Sequence, residues 1–301
     1  MLDSCATTSK SFAKKLAGQS LICEHVIITA VDGEKFNASR KKTSIRDMMT
    51  FGDKNAFLCV YVGRISLEKR IDVIVEACKN CPNVYLAIVG NGPTADDYVK
   101  LHGKENRIYC TPQFLSHEQL AEIYASCDCH VSASEFETLG NTVLEAFSCG
   151  IPVVVPRTQG FLDTVRHEFN GFLFEPGNPL EAGKYIQKIK NDPSLRKKMG
   201  ENARLSVVDK TIKRVTEDLI DWYGNGLWKR RSRSYLKCVF VILNLSWAVP
   251  LCILTLAVYD VVMGILALLG ISVEKKKIKV IKNFTDEFHD LKARGKEDKI
   301  R

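Results

Sequence analysis

Several of the signals that would make an assignment easy are missing from this sequence. Its 11 cysteines are odd in number and scattered, several of them in apolar patterns (Cys59, Cys129, Cys238, Cys252). Cys78 and Cys81 form a lone C-x-x-C, and Cys127 and Cys129 a C-x-C. No second pair and no histidines stand at ligand spacing, so no zinc site is predicted. The cysteines read as reduced thiols in a cytosol-like compartment. The opening MLDSCATTSK has no apolar core of the signal-peptide type, so no secretory signal is expected. The glycine turn VGNGP, residues 89–93, lacks the spacing of a dinucleotide fingerprint or a phosphate-binding P-loop.

What is present fits a globular protein with a proper core. Hydrophobic residues make up 46% of the 301, enough for one large domain or two small ones. The formal charge is +8, and the excess is uneven. Basic residues concentrate in WKRRSRSYLK, from Trp228, and in EKKKIK, from Glu274. Such clusters attract anionic lipid head groups or nucleic acid. Here they flank what is essentially one apolar stretch from Cys238 to Val273, interrupted by Asn244, Pro250 and Asp260. That position favours a lipid surface over nucleic acid.

About 20 residues suffice to cross a bilayer. The apolar stretch exceeds one span and falls short of two with a turn. A re-entrant hairpin bent near Pro250 with both basic flanks cytosolic, a single tilted span, and a buried soluble helix are the readings it allows. Residues 1–55 read as the remnant of a preceding domain and a linker, with HVIITAVDGEKFN as a strand and RKKTSIRDMM as an amphipathic helix. Residues 56–227 read as the main domain, 228–273 as basic flank and membrane segment, and 274–301 as a mixed-charge tail.

Within the main domain, AFLCVYV, VYLAIV, CHVSAS and PVVV are buried-type strands. They alternate with amphipathic segments LEKRIDVIVEACKN, HEQLAEIYASC and NTVLEAFSCG, the last ended by Gly150. This alternation predicts an α/β fold, a doubly wound parallel sheet with helices on both faces. Residues 175–227 read as mainly helical, with Asp192-Pro193 opening a helix. Ligands of such sheets bind at the C-terminal ends of strands, and that is where the informative residues fall.

In VGRISLEKR, Gly63 permits a tight turn and Arg64 emerges at the sheet edge, with Lys69 near the start of the next helix. A planar guanidinium and a point-charge ammonium so placed can converge on a diphosphate. Gly90 and Gly92 would let backbone approach a ligand closely. In SEFETLGNTVLEAFSCGIPVVV, Glu137 lies in a loop, Gly140 opens a helix, and Glu145 sits about one and a half turns in. The backbone N–H groups from Leu139 through Asn141 to Thr142 form a helix N-terminus suited to an anion. Carboxylates accept hydrogen bonds from paired hydroxyls, so Glu145 suits a ribose and Glu137 a sugar ring.

These elements, VGRISLEKR, VGNGP, S-x-x-E-x-x-G-x-x-x-x-E-A and GIPVV, resemble the C-terminal, donor-binding half of GT-B-fold retaining glycosyltransferases of the family 4 type. The variants SEFETLG, VDGEKFN, SIRD and FLFEPG are most similar to the sulfoquinovosyltransferase group, which makes sulfolipid. The resemblance implies that Arg64 and Lys69 bind the donor diphosphate, that Glu137 contacts the sugar and Glu145 the ribose, and that Phe114, in PQFL, borders the nucleobase. Leu139 stands where the wider family often has phenylalanine.

The resemblance further implies a UDP-sugar donor, no metal, and a lipid acceptor such as diacylglycerol. The site would be membrane-associated and face a cytosol-like or plastid stroma-like compartment. The family's first domain, with its acceptor site, has no counterpart here beyond a last strand and linker. A partner chain supplying that domain to a donor-binding subunit is therefore a rival reading, and a same-fold epimerase or hydrolase another. The histidines (His25, His102, His117, His130, His167, His289) are expected to be structural or exposed.

Overall fold

The computed structural model describes residues 5–23, 25–27, 29–224, 258, 260–265 and 268. The chain divides into two units, Met1–Trp228 and Lys229–Arg301. The expected membrane segment falls in the second unit and lies almost wholly outside the described residues; of it, residues 260–265 are helical. Among the described residues no helix is long and apolar enough to cross a membrane.

The first unit begins with two short parallel strands, β1 (Ala6–Thr7) and β2 (His25–Val26), joined through helix α1 (Lys10–Ala17). Ser9 caps α1 by accepting a hydrogen bond from the Phe12 N–H. This segment does more than link. Helix α2 (Thr43–Met49) follows, and Val31, Phe36 and Met49 are buried in the core of the main sheet. The Arg46 guanidinium on α2 donates to the carbonyls of Ala56 and Ser126 and to the Asp128 carboxylate.

The main sheet forms from β3 (Phe57–Val62), β4 (Val84–Val89), β5 (Ile108–Thr111), β6 (Cys129–Val131), β7 (Val153–Pro156) and β8 (Gly171–Phe174). Helices α3 (Ile71–Lys79), α4 (Ala95–Val99), α5 (His117–Ser126), α6 (Asn141–Ser148) and α7 (Gln159–Thr164) alternate with them, and α8 (Pro179–Asn191) and α9 (Pro193–Leu205) close the set. Asp192 caps α9 ahead of Pro193, as its sequence predicts. Residues 212–224 are helical as well.

All neighbouring strands are parallel, in the order β5-β4-β3-β6-β7-β8. Every residue of β3 and β4 is buried because side chains alternate between two covered faces. Leu58, Val60 and Val62 pack with residues of α5, α6 and α7, while Cys59 and Tyr61 pack with α3 and α8 on the other side. The predicted doubly wound sheet is therefore present. The chain goes one way from β3 through β4 to β5, then returns to the other side of β3 to lay down β6, β7 and β8. The reversal leaves a crevice beyond the C-terminal ends of β3 and β6.

The turns after β3 and β4 interlock. Gly63 N–H donates to the Val89 carbonyl and Ile65 N–H to the Asn91 carbonyl. A Cβ on Gly90, whose φ is +139°, would lie 1.9 Å from the Gly63 oxygen, and one on Gly92 would lie 2.1 Å from the Ile65 oxygen. These two glycines are therefore required by backbone meeting backbone. The reading from the sequence had assigned them to the approach of a ligand. Gly90→Ala is expected to cost about 1–3 kcal/mol beyond its conformational penalty, because neither main chain can move aside. Gly177→Ala is the reference, since its φ is +73° but nothing lies within 4 Å of the new methyl; there only the left-handed conformation is penalised, by about 1–2 kcal/mol. Urea denaturation of both variants separates the two costs, and equal losses would refute the packing explanation.

His130, in β6, is fully buried, and neither ring nitrogen has a hydrogen-bond partner. Its ring meets the edge of Tyr124, on α5, at 5.7 Å between centroids. Burial lowers its pKa from 6.5 to about 4. Below pH 6.5 the unfolded chain takes up a proton that the folded protein refuses, so stability falls as the pH drops from 6.5 towards 4. The loss from this group at pH 5, relative to pH 7, is expected to be about 2 kcal/mol. His130→Phe is expected to flatten that part of the acid limb in urea titrations at pH 7 and pH 5. An unchanged pH difference in the variant would show that His130 is not its source.

Candidate functional site

Two adjoining cavities open at the crevice, and they share Val62, Gly63 and Arg64. The first, about 630 Å³, is mainly apolar and runs from those residues across Gly90, Asn91, Gly92 and Pro93 to Gln113, Phe114, Leu115 and Leu120. The second, about 480 Å³, is polar and adds Tyr61, Glu68, Lys69, Ser132, Glu137, Thr138, Gly140, Asn141 and Thr142. Eight of the site residues predicted from the sequence thus gain a place. Gly63 and Arg64 line both cavities; Gly90, Gly92 and Phe114 line the apolar one; Lys69, Glu137 and Gly140 line the polar one. Asn141 is a ninth, at the first position of α6.

The polar cavity is built from both sides of the chain reversal. From the β3 side come Arg64 and, at the end of a single 3-10 turn (Leu67–Lys69), Lys69. From the β6 side come Glu137 and the N-terminus of α6. Lys69 Nζ donates to Glu137 Oε1 at 2.5 Å and reaches Ser134 Oγ at 3.4 Å. The two side chains are 22% and 24% exposed, so this ion pair is partly shielded from water. Arg64 is exposed and makes no salt bridge among the described residues. Among the described residues no side chain caps α6, and Gly140, Asn141 and Thr142 bring its N-terminus, the positive end of the helix dipole, to the cavity lining. Gly140 enters this helix at φ +78°, and a Cβ there would strike the Phe161 ring at 2.7 Å.

Two residues that sequence reasoning overlooked hold these walls. The Tyr61 hydroxyl, under the cavity floor, donates to the Arg64 carbonyl at 2.7 Å and so fixes the turn that presents the guanidinium. Burial, with the Glu137 and Glu68 charges second, pushes the Tyr61 pKa up, which keeps it a donor. Its signal was available, since a tyrosine in an otherwise apolar strand needs a partner for its hydroxyl. Gly160, on α7, donates its N–H to the Glu137 carbonyl at 3.0 Å, and its missing side chain lets α7 back the Glu137–Leu139 loop.

The two remaining predicted residues line neither cavity. Leu139 is 4% exposed and belongs to the core, where its carbonyl accepts from Thr164 Oγ1 at 2.9 Å. The loop must turn that side chain inward to seat Gly140 against Phe161, so Leu139 supports the wall and does not form its surface. Glu145 is half-buried on the second turn of α6, its carboxyl near the hydroxyl of Tyr124. Burial raises its pKa, and the Tyr124 hydroxyl and His117 draw it partly back. The Tyr124 oxygen itself has no partner at hydrogen-bond geometry, so the two groups are neighbours without a formed bond.

A planar cation, an ammonium and a helix N-terminus around one polar cavity can hold a diphosphate, and the adjoining apolar cavity has room for an aromatic ring. Comparison with known proteins agrees with this geometry. Residues 48–206 match the sequence model of the family described as Glycosyl transferases group 1. The sulfoquinovosyl transferase SQD2 of Arabidopsis thaliana is 29% identical over 223 residues, which cover 73% of this chain and 42% of that protein. The alpha-monoglucosyldiacylglycerol synthase of Acholeplasma laidlawii is 28% identical over 210 residues, 65% of this chain and 50% of that protein. The chain thus spans about half the length of these curated relatives. Among solved structures, Anabaena HepE in complex with UDP and glucose shares the fold at a TM-score of 0.66 and 23% identity, over 75% of this chain and 64% of that one. With more than half of its length matched, this chain belongs to the glycosyl transferases group 1 family.

Proposed function

We propose that the chain binds a UDP-sugar and serves the retaining transfer of its sugar to a lipid acceptor such as diacylglycerol, in the manner of a sulfoquinovosyltransferase. One observation carries the reading: Arg64, Lys69 and the N-terminus of α6 meet in a single cavity at the chain reversal. The uracil ring would occupy the apolar cavity beside Phe114, the diphosphate would lie between Arg64 and Lys69, and the sugar would face Glu137. HepE was solved with UDP and glucose, and the A. laidlawii relative is named for a glucosyldiacylglycerol product; both names are consistent with these choices.

In the transfer, the bond between the anomeric carbon and the diphosphate oxygen breaks, and its electron pair goes to the departing phosphate. The acceptor hydroxyl forms the new bond on the same face and gives its proton to that phosphate oxygen. Negative charge would grow on the leaving group, where Arg64, Lys69 and the α6 amides would stabilise it. Fixed donors of this kind act without reorganising, and the reading calls on no metal. The basic flanks of the apolar C-terminal stretch would bring the site to an anionic membrane surface on a cytosol-like or stroma-like side.

A second reading, the donor-binding half of an enzyme completed by another domain, is favoured by the share of the relatives' length that the chain spans. Positioning an acceptor against the anomeric carbon is worth roughly 7–11 kcal/mol of barrier. The test separates the two. Calorimetry with UDP is expected to show binding that weakens about tenfold or more in Lys69→Ala and in Arg64→Ala, the cost of one charge-assisted contact. Labelled UDP-sugar with diacylglycerol is then expected to give slow donor hydrolysis by this chain and glycolipid once a candidate acceptor domain is added. Unaltered UDP affinity in both variants would remove the site. Rapid glycolipid formation by the 301-residue chain would discard the second reading.

A further inference from the structure

Directly after Lys69 the backbone does something costly. Arg70 adopts the left-handed conformation, φ 48° and ψ 44°, where it both ends the 3-10 turn and precedes the first residue of α3. Residues with a Cβ avoid that region, and glycine would occupy it without penalty. A strained residue persists where its surroundings hold it, and here the side chain shows what holds it. Arg70 Nη1 donates to Glu135 Oε1 at 3.2 Å, across the gap between the β3 and β6 loops. Its other nitrogens lie 3.4 Å from both oxygens of Asp72, in the first turn of α3. Arg70 neighbours Lys69, and Glu135 stands two residues before Glu137, so Lys69–Glu137 and Arg70–Glu135 form two parallel rungs over the same gap.

The rungs differ in what an incoming anion does to them. A diphosphate competes with Glu137 for the Lys69 ammonium and so weakens the first rung. Arg70 and Glu135 do not line either cavity, so the second stays closed while the first is engaged. We propose that Arg70 and Glu135 are positioning residues, a clamp that keeps the Lys69 turn and the Glu137 loop in register when the donor's phosphates occupy Lys69. The clamp deepens the donor-site reading given above and rests on it. Asp72 steers the guanidinium from the α3 side, which leaves Arg70 oriented for Glu135 at the cost of the strained backbone.

The experiment compares the wild type with Arg70→Gly, Glu135→Gln and the exchange Arg70→Glu with Glu135→Arg. Lys54→Ala serves as a charge control, because it removes an exposed ion pair with Asp47 ahead of the N-terminal end of β3, the opposite end of that strand from the gap. UDP affinity is read by calorimetry, and amide hydrogen exchange over residues 134–141 is read without ligand. Arg70→Gly relieves the backbone, so its melting temperature is expected to stay level or rise while UDP binding weakens by about threefold or more. Glu135→Gln is expected to weaken binding similarly. Both should speed exchange across 134–141, the exchanged pair should restore part of each effect, and the control should alter neither. Glycine and glutamine variants that bind UDP and exchange like the wild type would overturn the clamp. A wild type that fails to bind UDP would instead defeat the donor reading, and the exchange data would still decide whether Arg70 and Glu135 order the Glu137 loop.

Discussion

The reversal of the chain between β3 and β6 is the constraint on which the rest depends. Strands hydrogen-bonded side by side must send their outgoing loops apart when their connections run in opposite directions, and the space between those loops cannot be filled by either. Here one loop delivers Arg64 and Lys69 and the other delivers Glu137 and the start of α6. No single stretch of sequence contains the site. It exists because β3 pairs with β6 through Cys59–Cys129 and Val60–His130, and a shift of one residue in that register would turn each strand's side chains to the opposite faces.

The support beneath the crevice is polar in a patterned way. Asp128, just before β6, accepts from the Leu58 N–H in β3 and from Arg46 on α2, and forms an ion pair with Arg196 on α9. One carboxylate thus ties the N-terminal ends of the two central strands to helices on both faces of the sheet. At the C-terminal ends the corresponding ties are Tyr61 to the Arg64 carbonyl and Gly160 to the Glu137 carbonyl. The central strand pair is therefore pinned at both ends, and the charged side chains of the site project from backbone that has little freedom. Placement of this quality is what electrostatic stabilisation requires, since a donor that must first reorganise loses most of its advantage.

How much of this was legible follows from the range of the interactions. β3, β4 and β7 announce themselves as unbroken apolar runs, because strands covered on both faces have few polar positions to spare. β5 is half-covered, alternating buried and intermediate residues over four positions, and does not stand out from its surroundings. Arg64, Lys69 and Glu137 could be read as charges at strand ends, because charge in such places has few other uses. Their pairing could not, since Lys69 and Glu137 are 68 positions apart. What the sequence could not show about the neighbouring residues shares that cause. Gly90 and Gly92 were correctly read as places of close backbone approach, but what approaches is the Gly63–Ile65 turn. Leu139 was placed by its position beside Gly140, whereas the packing of Phe161 decides that it faces inward.

Charge balance explains why the crevice needs more than its two cations. Arg64 and Lys69 share the polar cavity with Glu68 and Glu137, so its lining side chains carry two charges of each sign. A nucleoside diphosphate entering a lining of no net charge gains little from the average field. It gains from how the charges are arranged. The acids add hydrogen-bond acceptors to the lining, while the dipole of α6 adds positive potential at its N-terminus. Glu137 also keeps the Lys69 ammonium from reaching out into solvent before a ligand arrives, so less conformational freedom remains to be lost on binding. Among the described residues Arg64 has no such ion-pair partner, and it lines both cavities, so its guanidinium joins the apolar part of the crevice to the polar part.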